Sequence, residues 1–316
     1  MFKTVIAYKY NNAETDFSQI QEQIKNTDYI FTPCDQIKTI SSGFCPFYDD
    51  LFIIESDNRI LLKTVFSSKN VSDKTVKTLL DAKIEEIKKN ENIETVSDDV
   101  FYMYQDQIQR ECLKYATIVS KTVLLLIDKN THYIYVDATS VSLAEDALHL
   151  LRKIVGKLVC RYLSAKSATE SLSRLIQFSN PDFLQTNIRV MSHPSVIAHN
   201  EDDVKISLSG LDKDTDLFMD VLYDQKIQSL ELELVNPATG SVARLAQFVL
   251  YIGKNDILII KKFSFDEPDD SLSDAHIDDD TYRYTSKMLL VGRYMKSIVE
   301  SLHQILKIDN YDNYEK

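Results

Sequence analysis

Residues with catalytic or ligand-binding potential are scattered along this 316-residue chain, and few stand at spacings that build a known site. The histidines at 132, 149, 193, 199, 276 and 303 show no H-x-x-x-H or mixed His/Cys spacing for a metal. Cys34, Cys45, Cys112 and Cys160 form no C-x-x-C pair, which predicts free, buried thiols in a reducing compartment. No phosphate-cradling G-x-x-x-x-G-K-[ST] or G-x-G-x-x-G occurs, so ATP-driven work is not expected. No nucleophile elbow marks a Ser-His-Asp triad. A metal-dependent nuclease would have to draw its carboxylates from Asp128 and Asp137 or from the run 278–280. Strand-end aspartates more commonly cap turns, and acidic runs more commonly form solvated loops. The chain is therefore expected to be non-enzymatic, with no metal and no cofactor.

Charge is the more informative chemistry. The net charge of −12 argues against nucleic acid only if it is evenly spread, and it is not. Eight acids and no base lie between Asp266 and Asp280, and without them the balance is −12 + 8 = −4. Five bases (152, 153, 157, 161, 166) stand between Ala147 and Thr169 with no acid, and eight bases face four acids from Arg59 to Lys89. Phosphate binding depends on such local clusters and not on total charge. Solvated surface lysines would give the same counts.

Periodicity supplies the elements that must position these charges. Residues 2–10 read as a strand and Phe17–Ile24 as a helix; a hairpin over Leu51–Ile54 and Ile60–Val65 turns at Asp57-Asn58. A helix from Asp73 to Lys89 and another from Val100 to Thr117 form a projecting arm, with Lys83 at the edge of the apolar stripe. Snorkelling explains Lys83 as well as a phosphate contact does. From Leu124 to Leu158 the pattern is strand, turn at Asp128-Lys129-Asn130, strand and amphipathic helix. Ser142 and Glu145 have capping-box spacing, and Gly156 is placed for a left-handed cap. Polar, weakly periodic sequence follows Ser164. Strands are then expected at Val204–Leu208, Ile227–Val235, Val242–Ile252 and Ile257–Phe263, with a turn at 236–240. The last helix carries Met288, Val291, Met295, Ile298, Leu302 and Ile305, a seam for the sheet or for a partner helix. No apolar run approaches the roughly 18 residues of a membrane span, and the first residues begin a strand and not a signal peptide.

Several motifs in shared order resemble one family. They are Phe31-Thr32-Pro33-Cys34, Gly43-Phe44 with Pro46, Asp81-Ala82-Lys83-Ile84, and Ala144-Glu145-Asp146 leading to Leu150-Leu151-Arg152-Lys153 and Gly156. Tyr223 with Gln225-Lys226-Ile227-Gln228, Gly240-Ser241 with Arg244-Leu245 and Phe248, and the helix at Lys287–Leu306 complete the series. The chain resembles the RdgC family of recombination-associated DNA-binding proteins over nearly its whole length. Two positions depart from that pattern. Thr117 follows Ala116 where the family commonly has an aromatic at a dimer contact, leaving Tyr115, Thr117 and Ile118 as the contact candidates. Acidic Asn200-Glu201-Asp202-Asp203 stands where the family has a basic loop.

The resemblance implies an α+β fold of antiparallel sheets and hairpin-helix units, with a helical tip and a C-terminal sheet-plus-helix region. It divides the chain into a central region (1–72 and 122–165), a helical tip (73–121) and a base (166–316). It further implies a ring-shaped homodimer around double-stranded, or single-stranded, DNA, antagonising a recombinase filament in the cytoplasm at the nucleoid. The DNA-contact candidates are Lys83, Lys88, Lys89, Arg152, Lys153, Lys226 and Arg244, with Lys88 and Lys89 resting on local charge alone. The competing expectation is a protein-binding regulator that uses the acidic segments 201–203 and 266–280 to mimic DNA.

Overall fold

The structure, a computed structural model, describes residues 2–11, 15–26, 28–35, 37–166, 168–177, 186–236, 243–265, 280–306 and 308. The acidic stretch 266–279, the turn residues 237–240 and the Gly240-Ser241 pair lie outside these described residues. The fold is α+β. Thirteen strands share one antiparallel sheet: β1 (Val5–Tyr10), β2 (Ile40–Phe44), β3 (Ile53–Ser56), β4 (Arg59–Lys69), β5 (Ile118–Asp128), β6 (Tyr133–Asp137), β7 (Cys160–Tyr162), β8 (Ile188–Val190), β9 (Val196–His199), β10 (Lys205–Leu208), β11 (Lys226–Asn236), β12 (Ala243–Ile252) and β13 (Leu258–Phe265). The main path runs β10-β9-β11-β12-β13-β1-β6-β5-β4-β2, with β3, β7 and β8 attached to β4, β1 and β11. The N-terminal strand β1 therefore stitches the early hairpins to the late ones, pairing β6 along one edge and β13 and β7 along the other.

Seven helices cover the sheet or project from it among the described residues: α1 (Ile20–Lys25), α2 (Asp73–Glu91), α3 (Asp98–Tyr115), α4 (Val141–Val155), α5 (Ala168–Gln177), α6 (Asp216–Leu222) and α7 (Asp280–Leu306). Strand side chains alternate between two cores, as a period of two requires. Leu126, Tyr135, Leu61 and Ile260 point into a core closed by α5, α6 and α7. Their neighbours Leu125, Ile127, Ile134 and Leu62 point into a second core closed by α1 and α4. The seam on α7 (Met288, Val291, Met295, Ile298, Leu302) is fully buried against the sheet, so it serves the core of this chain.

The β3–β4 hairpin turns at Asp57-Asn58, both at positive φ (51° and 55°), with Ser56 opposite Arg59, as a two-residue loop matching strand twist demands. Four expectations are corrected. The helix α4 is capped by Ser140, whose hydroxyl accepts the Leu143 amide, so the chain enters the helix before Ser142 reaches a capping position. Gly156 closes that helix at φ 77° and ψ −91°, a positive φ but outside the left-handed helical well. The described parts of the stretch after Ser164 carry regular elements: α5 buries Ala168 and Leu172, and β8 and β9 pair with β11. These pieces are three to ten residues long, too short to show a period. Strand β2 also went unpredicted, because Ile40 at its head is exposed and two serines follow.

A buried ion pair anchors the centre. Arg59 on β4 donates Nε to Asp128 Oδ2 at 2.9 Å, and Asp128 is fully buried, its Oδ1 accepting the amides of Asn130 and Thr131. Above the pair α7 presents Gly292, where a Cβ would come within 2.5 Å of Arg59 Nε. Removing one partner of such a pair strands a buried charge. Arg59→Ala is expected to cost about 3–5 kcal/mol in urea unfolding. Gly292→Ala is expected to destabilise in the wild-type background, and to cost much less once Arg59 is already Ala.

Candidate nucleic-acid interface

Two supports frame the candidate interface, the helix α4 and a ribbon made by the far halves of β2, β4 and β5. Strand β4 pairs with β5 over eleven residues, from Arg59↔Asp128 to Lys69↔Ile118, and β2 adds a third strand along Ile40–Phe44. The ribbon leaves the core as it goes: Ile118–Thr122 of β5 are all exposed. It carries the helical pair α2–α3, in which α3 buries no residue and α2 buries only Val76 and Leu80. This pair is an arm standing off the sheet.

Helix α4 is fixed by its apolar face, with Ala144, Ala147, Leu148, Leu150, Leu151 and Ile154 buried over the sheet. Its last turn carries Arg152 and Lys153, cations that favour the carbonyl end of a helix. They are used differently. Arg152 is committed within the chain: Nε donates to Leu158 O at 3.1 Å, Nη2 to Cys160 Sγ at 3.2 Å, and Nη1 lies 3.7 Å from Glu145 Oε2. It ties the helix end to the following segment, and burial pushes the Cys160 thiol up even with this guanidinium beside it. Lys153 is exposed, with its ammonium 5.2 Å from the centre of the Tyr29 ring.

Between α4 and the ribbon lies a cleft of about 400 Å³. Lys121 of β5 joins His149 and Lys153 of α4 along it.

The other candidates are dispersed. Lys83 sits about 15 Å along α2 from its start; its Nζ meets Glu86 Oε2 at 2.8 Å and lies 6.0 Å from the Tyr104 ring centre. The hydrogen bond from Lys83 to Glu86, with that residue's charge, raises the lysine pKa, so the ammonium stays charged. Lys88 and Lys89 occupy the last turn of α2, near the far end of the arm. Lys226 begins β11 opposite His199, while Arg244 on β12 faces Val235 near the other end of that strand, roughly 30 Å away. The contact candidates Tyr115, Thr117 and Ile118 are exposed where α3 rejoins the ribbon, not at the 92–97 turn that forms the arm's far end.

The carboxylates a nuclease would need are held apart. Asp128 and Asp137 lie at opposite ends of the β5–β6 ladder, roughly 13 Å apart along the strand. Asp128 is consumed by Arg59, and Asp137 Oδ1 accepts the amides of Lys3 and Thr4 at 3.0 and 3.1 Å. Of the run 278–280 only Asp280 is described, at the start of α7. No group of three or more His, Cys, Asp or Glu is placed to hold a metal among the described residues. No helix among them is long and apolar enough to cross a membrane.

A model of the family described as "RdgC: Putative exonuclease, RdgC" matches residues 1–309. The chain belongs to the RdgC family. Similar proteins, each called "Recombination-associated protein RdgC", include one from Haemophilus influenzae strain PittGG, 30% identical over 50% of this chain and 52% of the relative. One from Shewanella frigidimarina is 28% identical over 54% of this chain and 56% of its own length. One from Shewanella denitrificans is 25% identical over 96% and 97%. The chain thus spans about half the length of the first two relatives and nearly all of the third.

In this RdgC-family chain, sequence reading overlooked Lys121 and took His149 as one of six histidines without metal-ligand spacing. The signal for Lys121 was available: alternation puts Val119 and Lys121 on the same strand face as Val123 and Leu125. Reading the strand from Leu124 onward cut it off.

Burial is the main reason the Asp137 carboxyl is held above the usual carboxylate range, against the pull of its two amide donors. An acid whose pKa is raised by folding stabilises the fold most below its unfolded pKa, and that contribution is lost as pH rises through the folded value. Asp137→Asn keeps the accepting Oδ1 and removes the titration. Relative to wild type, the variant is expected to gain stability as pH rises through that window and to keep the gain at neutral pH, read from urea midpoints across a pH series.

Proposed function

We propose that this protein binds DNA through its phosphate backbone, without strong sequence preference and without cutting it, and so limits the action of a recombinase filament. The observation that carries the reading is the lining of the α4–ribbon cleft. Lys121, His149 and Lys153 converge there from two separate elements, whereas the strand-end carboxylates are buried or bonded to amides. Backbone binding needs no catalytic constellation, only cations able to exchange for condensed counterions. The family's relatives carry recombination in their names, which suits such a role. Of the remaining candidates, Lys88, Lys89, Lys226 and Arg244 stand as phosphate contacts of the same kind, and Lys83 as a weaker one because Glu86 offsets its charge. Arg152 acts chiefly by holding the end of α4.

The active form in this reading is a homodimer that closes a ring around the duplex, the arm forming one of its contacts. Apolar side chains without cover support it: Tyr115 is 86% exposed and Ile40 73%, with Ile118 and Val119 beside them on the ribbon. A nucleoid-associated location would follow.

A second reading, nuclease action, has the family's description in its favour. The third, a protein-binding regulator, draws on the acidic segment 201–203, which is exposed; one of its acids is engaged locally, with Asp203 Oδ1 3.0 Å from His199 Nδ1.

Binding of the purified protein to a labelled random-sequence duplex, with a divalent metal present, is expected to fall steeply with salt and to leave the DNA intact. Lys153→Glu should weaken binding and flatten the salt slope by about 0.9 for the lost phosphate contact. Absence of binding at low salt would remove the DNA reading in favour of a protein partner, and nicked DNA would restore the nuclease. In sedimentation, the wild type is expected as a dimer and the double variant Tyr115→Glu, Ile118→Glu as a monomer with an unchanged circular dichroism spectrum. A wild type that sediments as a monomer would remove the ring.

A further inference from the structure

The cleft that gathers Lys121, His149 and Lys153 also has features a duplex backbone would leave unused. Part of its lining is apolar: the half-buried ring of Phe66 on β4, with Leu143 and Leu150 of α4. Phe66 is left partly uncovered because its cross-strand neighbour on β2 is Ser42, and the next position on its own strand face is Ser68. Both serines are exposed and add hydroxyls to the lining. Asp146 is the one carboxylate among the described lining residues, so the ionised side chains sum to Lys121 + Lys153 − Asp146 = +1.

An aromatic ring and two exposed hydroxyls beside an excess of cations, in about 400 Å³, match one nucleotide and offer more than a duplex backbone would use. Small-molecule sites span roughly 300–1,000 Å³, and single-strand binders pair aromatic stacking with a basic track for the phosphates. In a duplex the base faces are stacked on one another, so a phosphate-tracking surface gains nothing from Phe66. An unpaired base has a free face to offer it. We infer that the α4–ribbon cleft is a single-nucleotide subsite for an unpaired strand, with the base against Phe66 and Leu150 and its phosphate at Lys121 and Lys153. The inference rests on the DNA-binding reading and adds to it a preference for DNA with an unpaired end or gap.

The test uses the full chain with four probes: an oligothymidylate, thymidine monophosphate, inorganic phosphate and the random-sequence duplex. Ser68→Trp fills the cleft from an exposed position, and Lys121→Gln removes a cation without touching the core. Both variants are checked for wild-type thermal unfolding. The oligothymidylate is expected to bind, thymidine monophosphate to compete with it better than phosphate does, and Ser68→Trp to weaken the oligothymidylate about tenfold. Duplex affinity, which draws on the same cations, is expected to fall less than oligothymidylate affinity in that variant, so that the ratio of the two shifts, while Lys121→Gln lowers both alike. If inorganic phosphate competes as well as the nucleotide, or if Ser68→Trp leaves oligothymidylate binding unchanged, the subsite is overturned while duplex binding stands. If neither strand form binds at low salt, the DNA reading falls and the subsite with it.

Discussion

The ladder between β4 and β5 is the constraint from which most of this molecule follows. Its eleven consecutive pairs begin at the buried Arg59–Asp128 pair and end where the arm departs. A slip of one residue would exchange every side chain between the two cores, sending Leu61 and Leu126 towards α4 and Leu62 and Leu125 towards α7. The register is held at its inner end by Arg59 and Asp128, which are directly opposite one another and joined by a buried hydrogen-bonded charge pair. The adjoining turns are laced together as well: Lys129 Nζ meets Glu55 Oε1 at 2.7 Å, and Asn58 Nδ2 donates to Asn130 Oδ1. With that end fixed, the position of every residue further out is set, including Phe66, Ser68 and Lys121 around the cleft.

Charge is arranged along the same line. The cations that point to nucleic acid stand on α4, the ribbon and the arm. Several of the acids beside them are already spoken for: Glu86 holds Lys83, Asp106 holds Arg110 at 2.7 Å, and Glu145 approaches Arg152. Such exposed pairs contribute little to stability. Their effect here is to decide which cations remain available, which is why neighbouring Arg152 and Lys153 end up with different parts to play.

Much of the fold was legible because long elements repeat their pattern often enough to be seen. Strand β11 alternates Leu230, Leu232 and Leu234 with Glu231 and Glu233, and the leucines are buried as that alternation requires. The seam of α7 and the Asp57-Asn58 turn were equally plain. Short pieces were not: β7 and β8 have three residues each, and what places them is a partner strand distant in sequence. The candidate site was less legible than the fold, because it depends on which residues of separate elements meet. Arg152 and Lys153 are adjacent in sequence, yet only coordinates reveal that one guanidinium is occupied by Leu158 and Cys160. Alternation along β5 gives the face on which Lys121 stands, but only the packing of α4 beside the ribbon brings it near Lys153.

The outward half of the ribbon has a further meaning. From Ile118 to Thr122 the strand is exposed, and its ladder to β4, with the hydroxyl contact between Ser67 and Ser120, is what keeps it in place. Stability in a protein is graded in this way, and a segment with few apolar contacts opens at a fraction of the global cost. The arm and the sheet are thus separate cooperative units sharing one continuous strand. The arm is therefore expected to open at lower cost than the stretch of β5 from Val123 to Asp128, which is packed between two cores. In the ring proposed above, a contact carried on such a segment would part while the sheet around it stays folded.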